Sequence, residues 1–364
     1  MNAIEGRTAA VLFILLAACA VTPGGRCAAG EWERFEYSPA GRELYALPRS
    51  TAMGRADAAL GIDGTPHTNP ANFGFLRRNE INLCYAGFFR NTYSVSGLSF
   101  AGPASSGGGF GASLVYLFVP DILVTRNLEE TDDGDPIYDP ALLDHEYASD
   151  IFFHAGYGHR FSVIGPDKLL VSAGAAVNGR RKNLAGPAGY GVGLDAGVAA
   201  DMPQIGLRAS ILGENLSGNY IYWGDGYGSV ALPRVYAAVG WRKDIPYVYG
   251  RIKVGVVTPD LLPHEGVNAV ERHSRGDGEE TEIPVRVRPT EEPGKFLLAG
   301  GVGLEYTIHR KVALRVGAPT LGEVPQRMAF GAGIYLWKET ATIDFAYMVH
   351  ELAGTYQLGI GYLW

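Results

Sequence analysis

The chain has 364 residues, a formal net charge of −7, 50 glycines and a mean hydropathy of +0.02. The acidity argues against nucleic acid as a partner. After the N-terminus no stretch reaches the ~18 uninterrupted apolar residues of a membrane-spanning helix, and glycines with no triplet period exclude a collagen-like fibre.

The chain opens on Arg7 and an apolar run, Thr8–Ala18, followed by Pro23-Gly24-Gly25, the form of an export signal assigned to residues 1–29. Three processing sites compete. Leu16-Ala17-Ala18-Cys19 has the form of a lipobox, while Ala18-Cys19-Ala20 and Cys27-Ala28-Ala29 have the small residues of ordinary signal-peptidase sites. Removal of the signal leaves Cys84 as the one cysteine, so no disulfide framework is expected. Residues 30–79 are of mixed character, with a short helix expected near Met53–Leu60 and a loop closed by Asn69-Pro70. Asn69 precedes a proline and must be extended; its side chain is suited to an Asx-turn, a rigid unit able to plug a barrel mouth.

From residue 80 a period of two takes over, the signature of strands. Fourteen are expected, beginning with Glu80–Phe89, Thr92–Phe100, Gly109–Val119, Asp150–Arg160, Lys168–Asn178, Gly189–Ala200 and Gln204–Glu214. The rest are Pro233–Arg242, Tyr247–Val257, Phe296–Ile308, Lys311–Ala318, Arg327–Trp337, Glu339–Val349 and Thr355–Trp364. Their lengths suit tilted membrane strands. If both ends of the barrel domain face the periplasm, even-to-odd connections should be short and odd-to-even ones long. From the sixth strand on they follow that rule; the first hairpin breaks it, with a short outer turn at Arg90-Asn91 and a longer inner one over Ala101–Gly108.

One strand face is apolar, as in Val192, Leu194, Ala196, Val198 and in Tyr356, Leu358, Ile360, Tyr362. The other carries the charges Asp195, Arg208, Arg251, Lys253, Glu305, Arg315 and Asp344. Lipid requires the apolar face outward and tolerates charge only in the lumen. The expected fold is therefore all-β, a single 14-stranded antiparallel transmembrane β-barrel at 80–364 with a small N-terminal hatch at 30–79. Trp241, Trp337 and Trp364 close predicted strands at the periplasmic end, where an aromatic girdle belongs. The luminal charges either line a polar pathway or, the stronger reading, cross-link the interior. Phe88, Leu98, Phe100, Val115 and Leu117, with Cys84, are expected to face inward as an apolar wall, able to hold a lipid-like ligand or to pack against the hatch.

Gly189–Gly193 and Gly300–Gly303 mimic dinucleotide loops but lie within strands with no helix after them, so no nucleotide cofactor is expected. The acidic stretch Glu129–Glu146 lacks the spacing of a calcium loop, and the 8 histidines show no paired spacing. No metal, no cofactor and no enzymatic activity are expected. The loop aromatics Tyr220, Tyr222, Trp223 and Tyr227 are suited to capping an outer ligand site or touching a partner.

The run Met53-Gly54-Arg55-Ala56, Ala59, Asp63 and Asn69-Pro70-Ala71 resembles the N-terminal signature of the PorV/PorQ group, itself similar to FadL-type outer-membrane transporters. The order of signal, hatch, Asn-Pro-Ala, fourteen strands and terminal aromatic covers nearly the whole chain; Gly64-Thr65-Pro66-His67 departs from the pattern. The resemblance implies a bacterial outer-membrane location and passage of a hydrophobic small molecule such as a fatty acid. The alternatives are protein handling in a type IX-like secretion system, which implies secreted proteins as partners, and a structural barrel without transport. The C-terminal aromatic strand resembles the signal read by the barrel-assembly machinery. Outer-membrane lipid is the remaining expected partner.

Overall fold

The computed structural model describes residues 47–60, 68–104, 107–124, 144–164, 168–184, 188–223, 228–262, 267–274, 280–287, 293–323, 327–350 and 353–364. The export signal, Cys19, the Gly64–His67 departure and most of the acidic stretch lie outside the described residues.

Alternation produces strands along the whole chain. They are β1 Glu80–Phe88, β2 Tyr93–Pro103, β3 Gly108–Val124, β4 Asp144–Ile164, β5 Leu169–Leu184, β6 Ala188–Met202 and β7 Leu207–Glu214. Then come β8 Asn219–Trp223, β9 Gly228–Ala231, β10 Arg234–Ile245, β11 Gly250–Val257, β12 Val267–Ser274 and β13 Glu280–Val287. The last five are β14 Gly301–Ile308, β15 Val312–Ala318, β16 Ala329–Leu336, β17 Ala341–Met348 and β18 Thr355–Leu363. Fourteen of these close a barrel: β1 to β7, β10, β11 and β14 to β18 follow one another in antiparallel pairs, and β18 pairs back onto β1. All fourteen expected strands are present, with shifted ends. The other four form two hairpins within long connections: β8 and β9 extend the sheet from β6, and β12 pairs with β13 in a separate sheet.

The chain enters β1 and leaves β18 at one rim, the lower, where the backbones of Asn79 and Trp364 exchange hydrogen bonds of 3.0 Å. Every lower-rim connection is short: 104–107, 165–168, 203–206, 246–249, 309–311 and 337–340. The expected long inner loop over Ala101–Gly108 shrinks to 104–107, because β2 and β3 stay paired as far as Pro103 and Gly109. The upper rim carries the long connections, with 89–92 and 185–187 as short exceptions. The turn at 89–92 holds Phe89, Arg90 and Asn91 all at positive φ, as does that at Trp337, Lys338 and Glu339. Such left-handed runs match the right-handed twist of the strands they join.

The faces divide as the alternation requires. Val177, Val192, Leu194, Phe345, Leu358 and Ile360 point outward and are exposed. Ser172, Asn178, Thr342 and Gln357 point inward and are buried. A soluble sandwich would show the reverse. What buries the inner face is the N-terminal segment, which lies within the barrel. It opens on an α-helix, Pro48–Ala52, that was not expected, with the proline in the first turn where a missing N–H costs nothing; the short helix expected near Met53–Leu60 is present as a 3₁₀ turn. A 3₁₀ turn at Ala56–Ala59 and another at Pro70–Phe75 follow. Trp241, Trp337 and Trp364 sit at or near the lower rim and are exposed, and the Phe100 ring lies 6.2 Å from that of Trp364.

This orientation makes a quantitative expectation. Leu358→Arg, which places a charge on the outer face mid-strand, should cost roughly 2–4 kcal/mol of folding stability in phospholipid bilayers. Denaturant titration followed by heat-modifiable gel migration measures it. An unchanged midpoint would mean that the face does not meet lipid.

Candidate functional site

The lumen is the candidate site, and its geometry is set by how the N-terminal segment is held. Asn69 is extended, at φ −154° and ψ 124°. Its Oδ1 accepts from the Ala71 N–H at 2.9 Å, the expected Asx-type bond, and its Nδ2 donates to the Ile211 carbonyl at 3.2 Å. Pro70 and Ala71 then lie on the wall where Gly158 and Gly174 lack side chains: a Cβ on Gly158 would sit 2.5 Å from the Pro70 carbonyl oxygen, and one on Gly174 would be 2.4 Å from the Pro70 carbonyl carbon. Ser172 Oγ donates to the Ala71 carbonyl at 2.7 Å. Arg208 donates to Asn72 Oδ1 at 2.6 Å and lies over the Phe75 ring, 4.2 Å from its centroid.

Met53 and Gly54 form a second anchor, on β14 and β15. Gly54 takes φ +56°, and Met53 is fully buried. A Cβ on Gly317 would meet the Met53 carbonyl carbon at 2.5 Å, and one on Gly303 would meet it at 2.7 Å. All five expected hatch residues, Met53, Gly54, Asn69, Pro70 and Ala71, are thus in direct contact with the wall or in the turn that makes the contact.

The luminal charges cross-link one another. Lys253 Nζ lies 2.8 Å from Glu305 Oε1, Arg315 Nε donates to Glu305 Oε2 at 2.6 Å, and Arg315 donates from its second nitrogen to Asp344 Oδ1 at 2.7 Å. Arg49, from the N-terminal helix, donates to Asp344 Oδ2 at 3.2 Å. One ladder therefore ties β11, β14, β15 and β17 to the segment inside. Asp195 belongs to a separate polar group on the opposite wall: it accepts from Asn178 at 2.9 Å and from the Asn215 N–H at 2.8 Å, with His154 at 3.5 Å. Arg251 pairs with Asp244 at 2.6 Å near the lower rim and is half-exposed. Six of the seven expected charges are thus drawn into buried contacts, which leaves no continuous charged pathway among the described residues.

The apolar wall exists in altered form. Phe88 and Val115 are buried together with Ala86, Val95 and Phe152, and Cys84, Phe89, Tyr93 and Leu117 pack against them. The Phe88 and Tyr93 rings stack at 4.6 Å. Leu98 and Phe100 do not belong to it. Leu98 is 44% exposed on the outer face, and Phe100 shares that face through its contact with the exposed Phe110. The register Cys84↔Gly97 and Ala86↔Val95 puts the odd-numbered, smaller residues of β2 inward. Val95 and Phe152 are the residues that sequence reasoning missed. Counting alternation backward from Ala101 would have found Val95. Beside the apolar group stands a charged one: Arg180, paired across strands with Phe152, donates to Asp150 Oδ2 at 2.8 Å, and Lys182 lies 4.0 Å from the same carboxylate. Among the described residues no group of three or more His, Cys, Asp or Glu side chains is arranged to hold a metal ion.

No family model matches the sequence, and no curated protein matches it. Solved structures do. A deletion mutant of the monoaromatic hydrocarbon channel TodX superposes with a TM-score of 0.50 at 12% identity, over 87% of this chain and 98% of that one. The Pseudomonas putida toluene transporter TodX gives 0.48 at 12%, over 86% and 95%. A Pseudomonas aeruginosa FadL homologue gives 0.46 at 11%, over 86% and 97%. At such identity the likeness to the TodX variant is one of fold alone.

Two expectations follow from the anchors. Glu305→Gln leaves Lys253 and Arg315 facing each other without their shared carboxylate, a loss of about 3–5 kcal/mol read as a lowered denaturant midpoint. Gly174→Val should dislodge Pro70–Phe75 while the strands stay folded. Hydrogen exchange should then rise in that segment and not in β14 or β15.

Proposed function

We propose that the protein is an outer-membrane barrel through which hydrophobic small molecules pass, non-enzymatic, with the lower rim facing the periplasm. The observation that carries this is the apolar group Ala86, Phe88, Val95, Val115 and Phe152, buried on the lumen wall of a barrel whose outer face is itself apolar. Apolar side chains on a lumen wall with a few polar groups beside them are the usual lining of a small-molecule site. The fold shared with the TodX variant supports the same class of cargo, a hydrocarbon in that case. Arg180 and Lys182 stand beside Phe152, so the apolar group is bordered by basic side chains, a setting that suits a ligand with an acidic end such as a fatty acid.

In this reading Met53, Gly54, Asn69, Pro70 and Ala71 hold a hatch, the luminal charges brace it, and Trp241, Trp337 and Trp364 set the depth of the barrel in the bilayer. The PorV-like alternative of protein handling in secretion rests on the N-terminal residues alone.

The test is uptake of radiolabelled oleate and of labelled toluene by cells that lack their own carrier and express the full chain. Uptake above that of the empty strain is expected, with oleate favoured. Phe152→Asp should lose it while the heat-modifiable barrel band remains. A native mass spectrum showing bound polypeptide and no lipid, with no uptake of either probe, would overturn transport in favour of the secretion role.

A further inference from the structure

The lower rim differs in sign from the chain as a whole. The protein carries a net charge of −7, yet the half of this rim that runs from β10 round to β1 is rich in cations. Arg77 stands just before β1, Lys243 near the end of β10, Arg310 and Lys311 between β14 and β15, and Lys338 between β16 and β17. All five side chains are exposed, and among the described residues none of them enters an ion pair. The acids of the same arc are already taken, Asp244 by Arg251 at 2.6 Å and Glu339 by Arg78 at 3.9 Å. The five cations are therefore an uncompensated excess.

These turns form one continuous edge. The His309 N–H donates to the Tyr249 carbonyl at 2.9 Å, and the two rings stack at 5.5 Å. The Tyr335 N–H donates to the Lys311 carbonyl at 2.7 Å, and the Leu363 N–H to the Thr340 carbonyl at 2.6 Å. Asn79 and Trp364 complete the arc. Because every turn is short and tied to its neighbour, the cations stay at one level along the rim. Large amphipathic rings stand among them: Tyr247 is 96% exposed and Trp337 75%. Tyr and Trp favour the headgroup level of a bilayer, and an anionic leaflet attracts Lys and Arg at its surface. An acidic protein is the poorer fit. Lysine is depleted in protein interfaces, three of the five cations are lysines, and they are strung along an edge instead of gathered in a patch.

We propose that this arc is a binding edge for anionic phospholipid. Lipids of the leaflet at the lower rim place their phosphates against Arg77, Lys243, Arg310, Lys311 and Lys338. Their acyl chains lie on the apolar outer face, and the rings of Tyr247 and Trp337 sit among the headgroups. The inference rests on the barrel's spanning a bilayer, and is independent of which molecule crosses the lumen.

The test places the full chain in phosphatidylcholine vesicles with a trace of acyl-chain spin-labelled lipid, either phosphatidylglycerol or phosphatidylcholine. Electron spin resonance gives the fraction of label slowed against the protein, and so the relative association of the two headgroups. At low salt phosphatidylglycerol should be preferred about two- to threefold. The preference should fall toward one in about 1 M sodium chloride, where exposed charges are screened beyond about 3 Å. Lys243→Gln, Arg310→Gln, Lys311→Gln and Lys338→Gln together should abolish it at low salt, while Arg90→Gln in the upper-rim turn should leave it intact. Equal association of both headgroups with the unaltered chain would overturn the proposal, and so would a preference that survives either salt or the folded fourfold variant. Equal association, with an acidic protein that co-purifies with the unaltered chain and not with the variant, would give the arc to a protein partner instead. If the fourfold variant yields no heat-modifiable band, the salt series on the unaltered chain decides. Absence of slowed label with either headgroup would sink the membrane reading itself.

Discussion

Everything inside this barrel depends on a backbone lying against a wall that has no side chains where the two meet. Under Asn69–Phe73 the wall offers Gly109, Gly156, Gly158, Gly174 and Gly197; under Ala52–Gly54 it offers Gly301, Gly303, Gly317 and Gly331. In each case an added Cβ would enter the N-terminal segment. Glycine in a strand is unfavourable by roughly 0.5–1 kcal/mol relative to alanine, so two such fields weaken the strands that carry them. The barrel bears that cost because a closed ring of antiparallel strands leaves no backbone edge to be satisfied elsewhere. The close approach in return makes the position of the segment specific, since sliding by one residue would press it onto the larger neighbours of each glycine. The high glycine content, which by composition alone suggests flexibility, is here a record of contact.

The two anchors differ in kind. That at Asn69–Ala71 is made of backbone contact and neutral hydrogen bonds, with Arg208 bound to Asn72 and Phe75. That at the helix adds an ionic ladder in which Arg49 shares Asp344 with Arg315. In a dry interior an ionic contact of this sort is costly to assemble and more costly to leave half made. It therefore resists partial opening more than it adds to overall stability. The luminal charges cross-link one another, as the stronger of the two expectations had it, and the apolar group on β1 to β4 lies beside a further buried pair, Arg180 and Asp150.

Much of this was legible. Alternation over β14 to β18 gave strands, faces and lower-rim turns together, because in a barrel with an apolar outer face one register error would turn the inner charges outward. The Asx bond of Asn69 followed from its own side chain and the proline after it. Leu98 and Phe100 were assigned inward on a register one residue out in β2, where the bulky face meets the outside and the inner face must be small enough to admit another chain. The short helix expected near Met53–Leu60 is there as the 3₁₀ turn Ala56–Ala59, while the α-helix that Pro48 opens went unforeseen. The hairpins β8–β9 and β12–β13 lie in connections where neither face has a fixed environment, so alternation there carries less information.

Barrel width supplies the remaining constraint. A ring of about eight strands is filled by its own side chains, and one of 16–18 leaves an aqueous channel. Fourteen strands fall between, too wide for wall side chains to meet across the axis and too narrow for an open pore to be the default. Such a lumen needs a filler, and a filler supplied by the same chain can be matched to the wall residue by residue. The match is close on β3 to β6 and on β14 to β16, where glycines receive backbone. Along β1 and β18 the wall is equally small at Ala86, Gly359 and Gly361, but there the only described part of the segment at hand is the tip of one short helix. Small residues facing a docked chain are explained by the docking.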